Sequence, residues 1–323
     1  MPSPGLPKRL FHALDDWLGR ATLRWPGEGG GLVVLMFHSL FADQAELANQ
    51  GCIDPQQRTT VADLRALVRA FQHFGYQFVT SAQVLAGLPP RQRHAMLTFD
   101  DGYHNNLRAL PVLHECGVPA VFFITANHVL HNKCMWSDVL YRERTRLGVP
   151  LAQVRAEQES LKHLRAPQIE QHLQQLFGPG CLRPWGDLDR FLTPTELAEF
   201  ARDPLVVIGN HTQDHAILTN YDPAGIRREV AECQQSLVGL TGYRPDCIAY
   251  PNGNHSSQVR DICRELGLRL GIGVHRGKNY LPLRPGSELA LLRHTFWGDR
   301  DLSAQVDDFR RDAPLWKLYQ NWK

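Results

Sequence analysis

Two stretches of the 323-residue chain carry side chains that could do chemistry together. The first is Thr98-Phe99-Asp100-Asp101-Gly102, directly after the apolar run at 95–97. Adjacent carboxylates at a strand's end repel each other, so the pair is costly unless a cation or a proton shares the site. Successive strand side chains point opposite ways, and Gly102 permits the tight turn that re-aims them. Asp-Asp-Gly is also ordinary turn chemistry, so this pair alone decides nothing. The second stretch is Gly209-Asn210-His211-Thr212-Gln213-Asp214-His215, after the run at 205–208. Two histidines four apart can grip one metal ion from one side of a helical turn. In a chain with 15 histidines, such a pair carries weight through its placement rather than its spacing. Two imidazoles and one carboxylate with an open position make a catalytic site for zinc or a similar borderline metal. The carboxylate left over would serve as general base on the water that the metal activates.

The elements that must position these groups follow from periodicity. Strands are predicted at 32–38, 77–79, 95–100, 119–125, 205–210, 246–250, 268–273 and 289–293. Helices are predicted to about residue 73 from a cap at Thr59 or Thr60, and at 105–116, 223–240 and 256–266. Such alternation argues a mainly parallel sheet, and about seven units argue a closed α/β barrel. The Asp pair and the His pair both follow predicted strands, so they share the face on which barrel loops collect catalytic groups. Residues 131–190 break the rhythm with no convincing strand and read as a helical insertion on that face.

The ends differ from the middle. Leu10, Leu14, Trp17, Leu18, Ala21 and Trp25 mark an amphipathic helix, and 26–31 (PGEGGG) a break before the first strand. A similar stripe, Leu315, Leu318, Tyr319 and Trp322, closes the chain. The organisation expected is therefore a helix and linker at 1–31, the barrel at 32–300 and a helical segment at 301–323. The two stripes either pack on the barrel and each other or lie at a membrane surface. With 35 basic against 33 acidic residues, the formal net charge of +2 gives no electrostatic mandate for nucleic acid. The seven cysteines form no CxxC pair, which argues against a disulfide scaffold or thiolate zinc and for buried free thiols in a reducing compartment. Asp15, Asp16, Arg20 and Arg24 interrupt any apolar core of a signal peptide. The expected location is the cytoplasm, at the periphery of the inner membrane in the alternative where the two ends lie on it.

TFDDG at 98–102, HTQDH at 211–215 and AYPNG at 249–253 together resemble the NodB-homology polysaccharide deacetylase family, over about 32–295. The resemblance implies a distorted (β/α) barrel that hydrolyses acetyl groups on sugars with a divalent metal, most often Zn2+. It makes Asp101, His211 and His215 the metal ligands and Asp100 the base. The backbone N–H of Asn252, in the Tyr250-Pro251-Asn252-Gly253 turn, then helps hold the oxyanion, and Tyr250 shapes the substrate pocket. Where many members have an arginine two residues before the motif's proline, this chain has Ala249. Arg293 looks like the arginine of relatives carrying a YPxG turn, with Arg244 the weaker candidate.

The segment Met36-Phe37-His38 looks like that of circularly permuted relatives whose first strand supplies the general acid, here His38, with His294 as runner-up. Tyr103, Trp136, Trp185 and Trp297 could stack on sugar faces, and Asn279 resembles a segment near the family's pocket. The expected reaction removes an N-acetyl group from an amino sugar in a glycan or glycolipid. A deformylase or other amidase acting on a lipid-linked sugar is the near alternative. A sugar-binding barrel that has lost catalysis is the alternative of another class, which Ala249 would allow.

Overall fold

Alternate residues of the strands feed two separate cores, and that parity decides which side chains reach the site. The computed structural model describes residues 28–312 and, before them, residues 18, 19, 21 and 23. Of the stripe expected at 10–25 only Leu18 and Ala21 are among them, and the stripe at 315–322 lies outside the described residues. The strands are β1 (Gly31–Phe37), β2 (Gln77–Phe78), β3 (Arg93–Phe99), β4 (Ala120–Ile124), β5 (Val206–Asn210), β6 (Cys247–Ala249), β7 (Leu270–Ile272) and β8 (His294–Thr295). All pairs within the sheet are parallel, in the order β7-β6-β5-β4-β3-β1-β8, with β2 off this path on β3. Seven strands curled into a half-barrel with helices around it are the distorted barrel the sequence predicts.

On one face Val33, Leu35, Phe37, Leu97, Phe99 and Phe122 join Leu64, Leu67, Val68 and Phe71 of helix Val61–His73. Phe99 stacks between Phe37 at 5.0 Å and Phe122 at 4.8 Å. On the other face Leu32, Val34, Met96, Val121, Phe123, Cys247, Ala249, Leu270 and Ile272 fill the barrel interior. Strands buried on both faces read as continuous apolar runs, as β1 does with all seven residues buried. Gly209 continues the interior row of β5; a Cβ there would collide with the Phe123 ring.

One expected strand is corrected. The run at 289–293 makes an isolated parallel bridge, Ile272 to Leu291, and the regular ladder begins only at β8. The reason is that this run changes partner. Leu291 exchanges backbone bonds with Gly271 and Gly273 beside β7, while His294 and Thr295 pair with Leu35 and Met36 of β1. The segment thereby spans the gap between β7 and β1, and Arg293 sits at the crossing.

The helix expected at 105–116 divides into a 3-10 turn, His104–Ala109, and an α-helix, Leu110–Cys116, with Pro111 in its first turn where the missing N–H costs nothing. Residues 131–190 hold three successive helices, Trp136–Arg146, Leu151–Leu161 and Ala166–Phe177, around a cluster of their own that includes Val139, Leu140, Ile169 and Leu173. Buried Arg142 pairs with Asp189 at 2.7 Å beside that cluster. Helix Leu302–Arg310 is tied to the segment before β1: buried Glu28 accepts from Arg310 (2.9 Å), Lys278 (3.2 Å) and Tyr76. All seven cysteines are free, five of them buried. No helix among the described residues is long and apolar enough to cross a membrane.

Candidate active site

The interior row of each strand, carried one step past the strand's end, lands in the site. Met96 and Thr98 on β3 lead to Asp100, Val207 and Gly209 on β5 lead to His211, and Val34 and Met36 on β1 lead to His38. Asp101 would point the other way, but it adopts φ +79°, and Gly102 follows at φ +95°. This left-handed turn brings a second carboxylate inward. His215 arrives in the same manner, since Thr212 (φ +65°) and His215 (φ +53°) fold the loop back after β5. Asn210 caps the loop at the Thr212 amide (2.8 Å), and the Thr212 hydroxyl accepts from the Ala216 amide (2.7 Å).

Asp101, His211 and His215 offer three ligand atoms that all lie within 4.8 Å of one another. Each imidazole Nε2 is 3.3 Å from Asp101 Oδ1. His211 Nδ1 donates to the Ala249 carbonyl at 2.8 Å, which leaves the Nε2 lone pair facing the centre. Asp101 Oδ1 is buried with no hydrogen-bond partner. An orphaned carboxylate oxygen between two imidazole nitrogens is the donor set of a divalent cation, so the residues fit a metal of the zinc type. Burial opposes ionisation of Asp101, yet the imidazoles gathered around it hold its carboxyl well below the usual range. Burial pushes His215 down to about 4, so it is neutral and ready to ligate at neutral pH.

Asp100 is held apart from this trio by Arg293. The guanidinium gives two bonds of 2.7 Å, one to each carboxylate oxygen, and both side chains are buried. Two further donors go to the Gly273 carbonyl (3.0 Å) and the Thr98 hydroxyl (3.2 Å). Burial would raise the Asp100 pKa, but Arg293 and then His211 lower it, so the carboxylate stays charged.

A cavity of about 610 Å³ opens over these groups, and His38, Tyr250, Asn252, Trp136 and Trp297 also line it. His38 Nδ1 donates to Gln57 Oε1 at 2.9 Å, while the Gln57 amide donates to the Met36 carbonyl at 2.8 Å. That pairing orients the Gln57 amide and sets the His38 tautomer. Tyr250 is buried against the cavity with its hydroxyl donating to the Leu289 carbonyl (3.0 Å). Asn252 takes φ +56° on the cavity wall.

Other expected residues lie elsewhere. Tyr103 is 1% exposed, stacks on Phe191 and donates to Asp138 at 2.6 Å. It is a core residue and cannot stack on a sugar. Trp185 is not on the cavity wall; it covers Arg142, whose guanidinium lies 4.7 Å over its ring. Asn279 closes the fold instead, bonding Leu292 on both sides of its amide and bridging Leu32. Arg244 reaches only the Leu266 carbonyl. His294 is buried against Phe309 and does not line the cavity over Asp100. Sequence reasoning missed Gln57 and the Asp54–Arg155 pair on the cavity wall, which sit on a loop and an insertion helix without periodic signal. It also missed Glu229, which accepts from the Asp214 amide through its carboxylate and from the Gln213 amide through its carbonyl, bracing the histidine loop.

Comparison with known proteins agrees with this architecture. The polysaccharide deacetylase family matches residues 87–271, more than half of the chain, and the chain belongs to that family. That match contains the Asp and His motifs and the Asn252 turn but neither His38 nor Arg293. A putative polysaccharide deacetylase, YxkH of Bacillus subtilis (strain 168), is 20% identical over 251 residues, which span 76% of this chain and 65% of that protein. Among solved structures, the Streptococcus pyogenes deacetylase PplD in complex with acetate superposes with a TM-score of 0.57 at 15% identity, covering 87% of this chain and 99% of that one. BC0361, a polysaccharide deacetylase from Bacillus cereus, gives 0.60 at 16% identity, covering 87% and 69%. At these identities the structural likeness speaks for the fold.

Proposed function

We propose that this protein is a metal-dependent hydrolase that removes the N-acetyl group from an amino sugar within a glycan or glycolipid. The observation that carries this reading is the sorting of two adjacent carboxylates: Asp101 faces two imidazole nitrogens, and Asp100 faces an arginine. A divalent ion held by Asp101, His211 and His215, zinc in our reading, supplies Lewis acidity to the acetamide carbonyl and acidifies water. Asp100, kept charged by Arg293, takes the proton from the attacking water. The Asn252 amide is placed on the wall to share the negative charge that develops on the carbonyl oxygen, a contribution of a few kcal/mol for such a donor. His38, fixed by Gln57, gives a proton to the departing amine. Acetate and a free amino sugar result.

Mass spectrometry of N-acetylated glycans and glycolipids after incubation with metal-loaded protein tests the reading. The expected product has an acetyl group exchanged for hydrogen, with acetate released in equal amount. Loss of formyl in place of acetyl would support the deformylase, and no loss with retained glycan binding would support the inactive barrel.

A further inference from the structure

Beyond Trp297 the cavity over Asp100 adjoins a second one. Val274, Thr295 and Trp297 line both, and the second, of about 490 Å³, extends over His294 toward helix Leu302–Arg310. Four charged side chains line it. Arg276 donates to Asp308 at 3.0 Å, and Arg311 pairs with the same carboxylate at 2.9 Å. Asp301 is spent on the Ala304 amide at the start of the helix (2.7 Å). Arg300 is left over. Its guanidinium lies 4.5 Å over the Trp297 ring, and it makes no hydrogen bond or ion pair to a described side chain. A guanidinium backed by an aromatic face, with its planar fork of donors free, suits a carboxylate or a phosphate. The apolar wall of Trp297 beside it suits the ring of a sugar. Burial, then the positive charges of Arg276, Arg311 and Lys278, push the His294 imidazole beneath down to about 3, so it adds no charge of its own to the groove.

We propose that this groove is a second substrate subsite taking an anionic sugar unit, its carboxylate or phosphate paired with Arg300, while an N-acetylated unit of the same chain lies at Asp100. The assignment rests on the deacetylase reading and adds the substrate's charge and its minimum length of two units.

Three tetrasaccharides that share N-acetylglucosamine units test it, the intervening units being glucuronate, the carboxyl-reduced neutral sugar, or a sugar phosphate monoester. Wild type and Arg300→Gln are compared by titration calorimetry and by acetate release. Wild type should bind one anionic form about tenfold more tightly than the neutral one, equivalent to about 1.4 kcal/mol. In Arg300→Gln that preference should fall below about twofold, and salt should narrow it in wild type. Whichever anion is preferred identifies the group recognised. Equal affinity for neutral and anionic forms in wild type overturns the subsite, as does an unchanged preference in Arg300→Gln. Acetate release without charge preference removes the subsite and leaves the deacetylase standing. An Arg300-dependent preference in binding, with no acetate released from any of the three, supports the subsite and removes the deacetylase.

Discussion

Arg293 grips both oxygens of Asp100 at 2.7 Å although 193 residues separate them. The crossing segment between β7 and β1 delivers the arginine, and the interior row of β3 delivers the aspartate. Breaking a buried pair leaves one charge uncompensated, which costs about 3–5 kcal/mol. Arg293→Gln should therefore lower stability by that order and reduce acetate release by about a hundredfold or more. Adding Asp100→Asn should return part of the stability and none of the activity. Urea unfolding of the single and double variants checks this. Equal stability of wild type and Arg293→Gln would contradict it.

The trio of Asp101, His211 and His215 should make folding stability depend on divalent metal. A ligand present at about a thousandfold over its dissociation constant adds roughly 4 kcal/mol. Chelation should lower the midpoint of thermal unfolding and abolish acetate release, and zinc should restore both. His211→Ala should unfold at one temperature with or without chelator. A chelator effect that persists in His211→Ala would place the ion elsewhere.

Tyr103 anchors the loop after the aspartates to the insertion through Asp138, whose other oxygen accepts from the Asp54 amide at 3.0 Å. Removing the hydroxyl leaves that buried carboxyl short of a donor, at a cost of about 1–3 kcal/mol. Tyr103→Phe should show that loss in urea unfolding with KM unchanged. A raised KM at unchanged stability would return Tyr103 to the substrate pocket.

The fold should weaken in mild acid. Burial, then neighbouring positive charges, pushes both His128 and His294 down to about 3. Their unfolded value lies near 6.5, so below it the unfolded chain binds protons that the folded chain refuses. Stability is complete above that range and falls as the pH drops from 6.5 toward 3, by roughly 2 kcal/mol per histidine at about pH 5. Urea unfolding from pH 7 to 5 should show the slope, and His294→Leu should reduce it. A stability independent of pH across that interval would show both histidines to be accessible to protons.

Much of this was legible before any coordinates. The buried strands announce themselves as apolar runs, and Thr60 with Asp63 marks the start of its helix through a reciprocal cap. The Asp and His motifs could be set on one face because both follow strands. Arg293 could be proposed from its likeness to the arginine of relatives carrying a YPxG turn. What stayed hidden has a common cause. Tyr103 follows a left-handed turn that re-aims the chain, so its direction is not set by strand parity. Gln57 meets His38 only through tertiary folding of a loop. The partner change within 288–295 depends on closure of the barrel, which no local pattern records.

Metal content and acetate release, measured side by side in Asp100→Asn and Asp101→Asn, test the central claim most directly. Asp100→Asn should keep one bound ion per chain while turnover falls about a thousandfold. Asp101→Asn should lose the ion and the turnover together. Near-normal turnover in Asp100→Asn, or full metal content in Asp101→Asn, would contradict the division of labour between the two carboxylates.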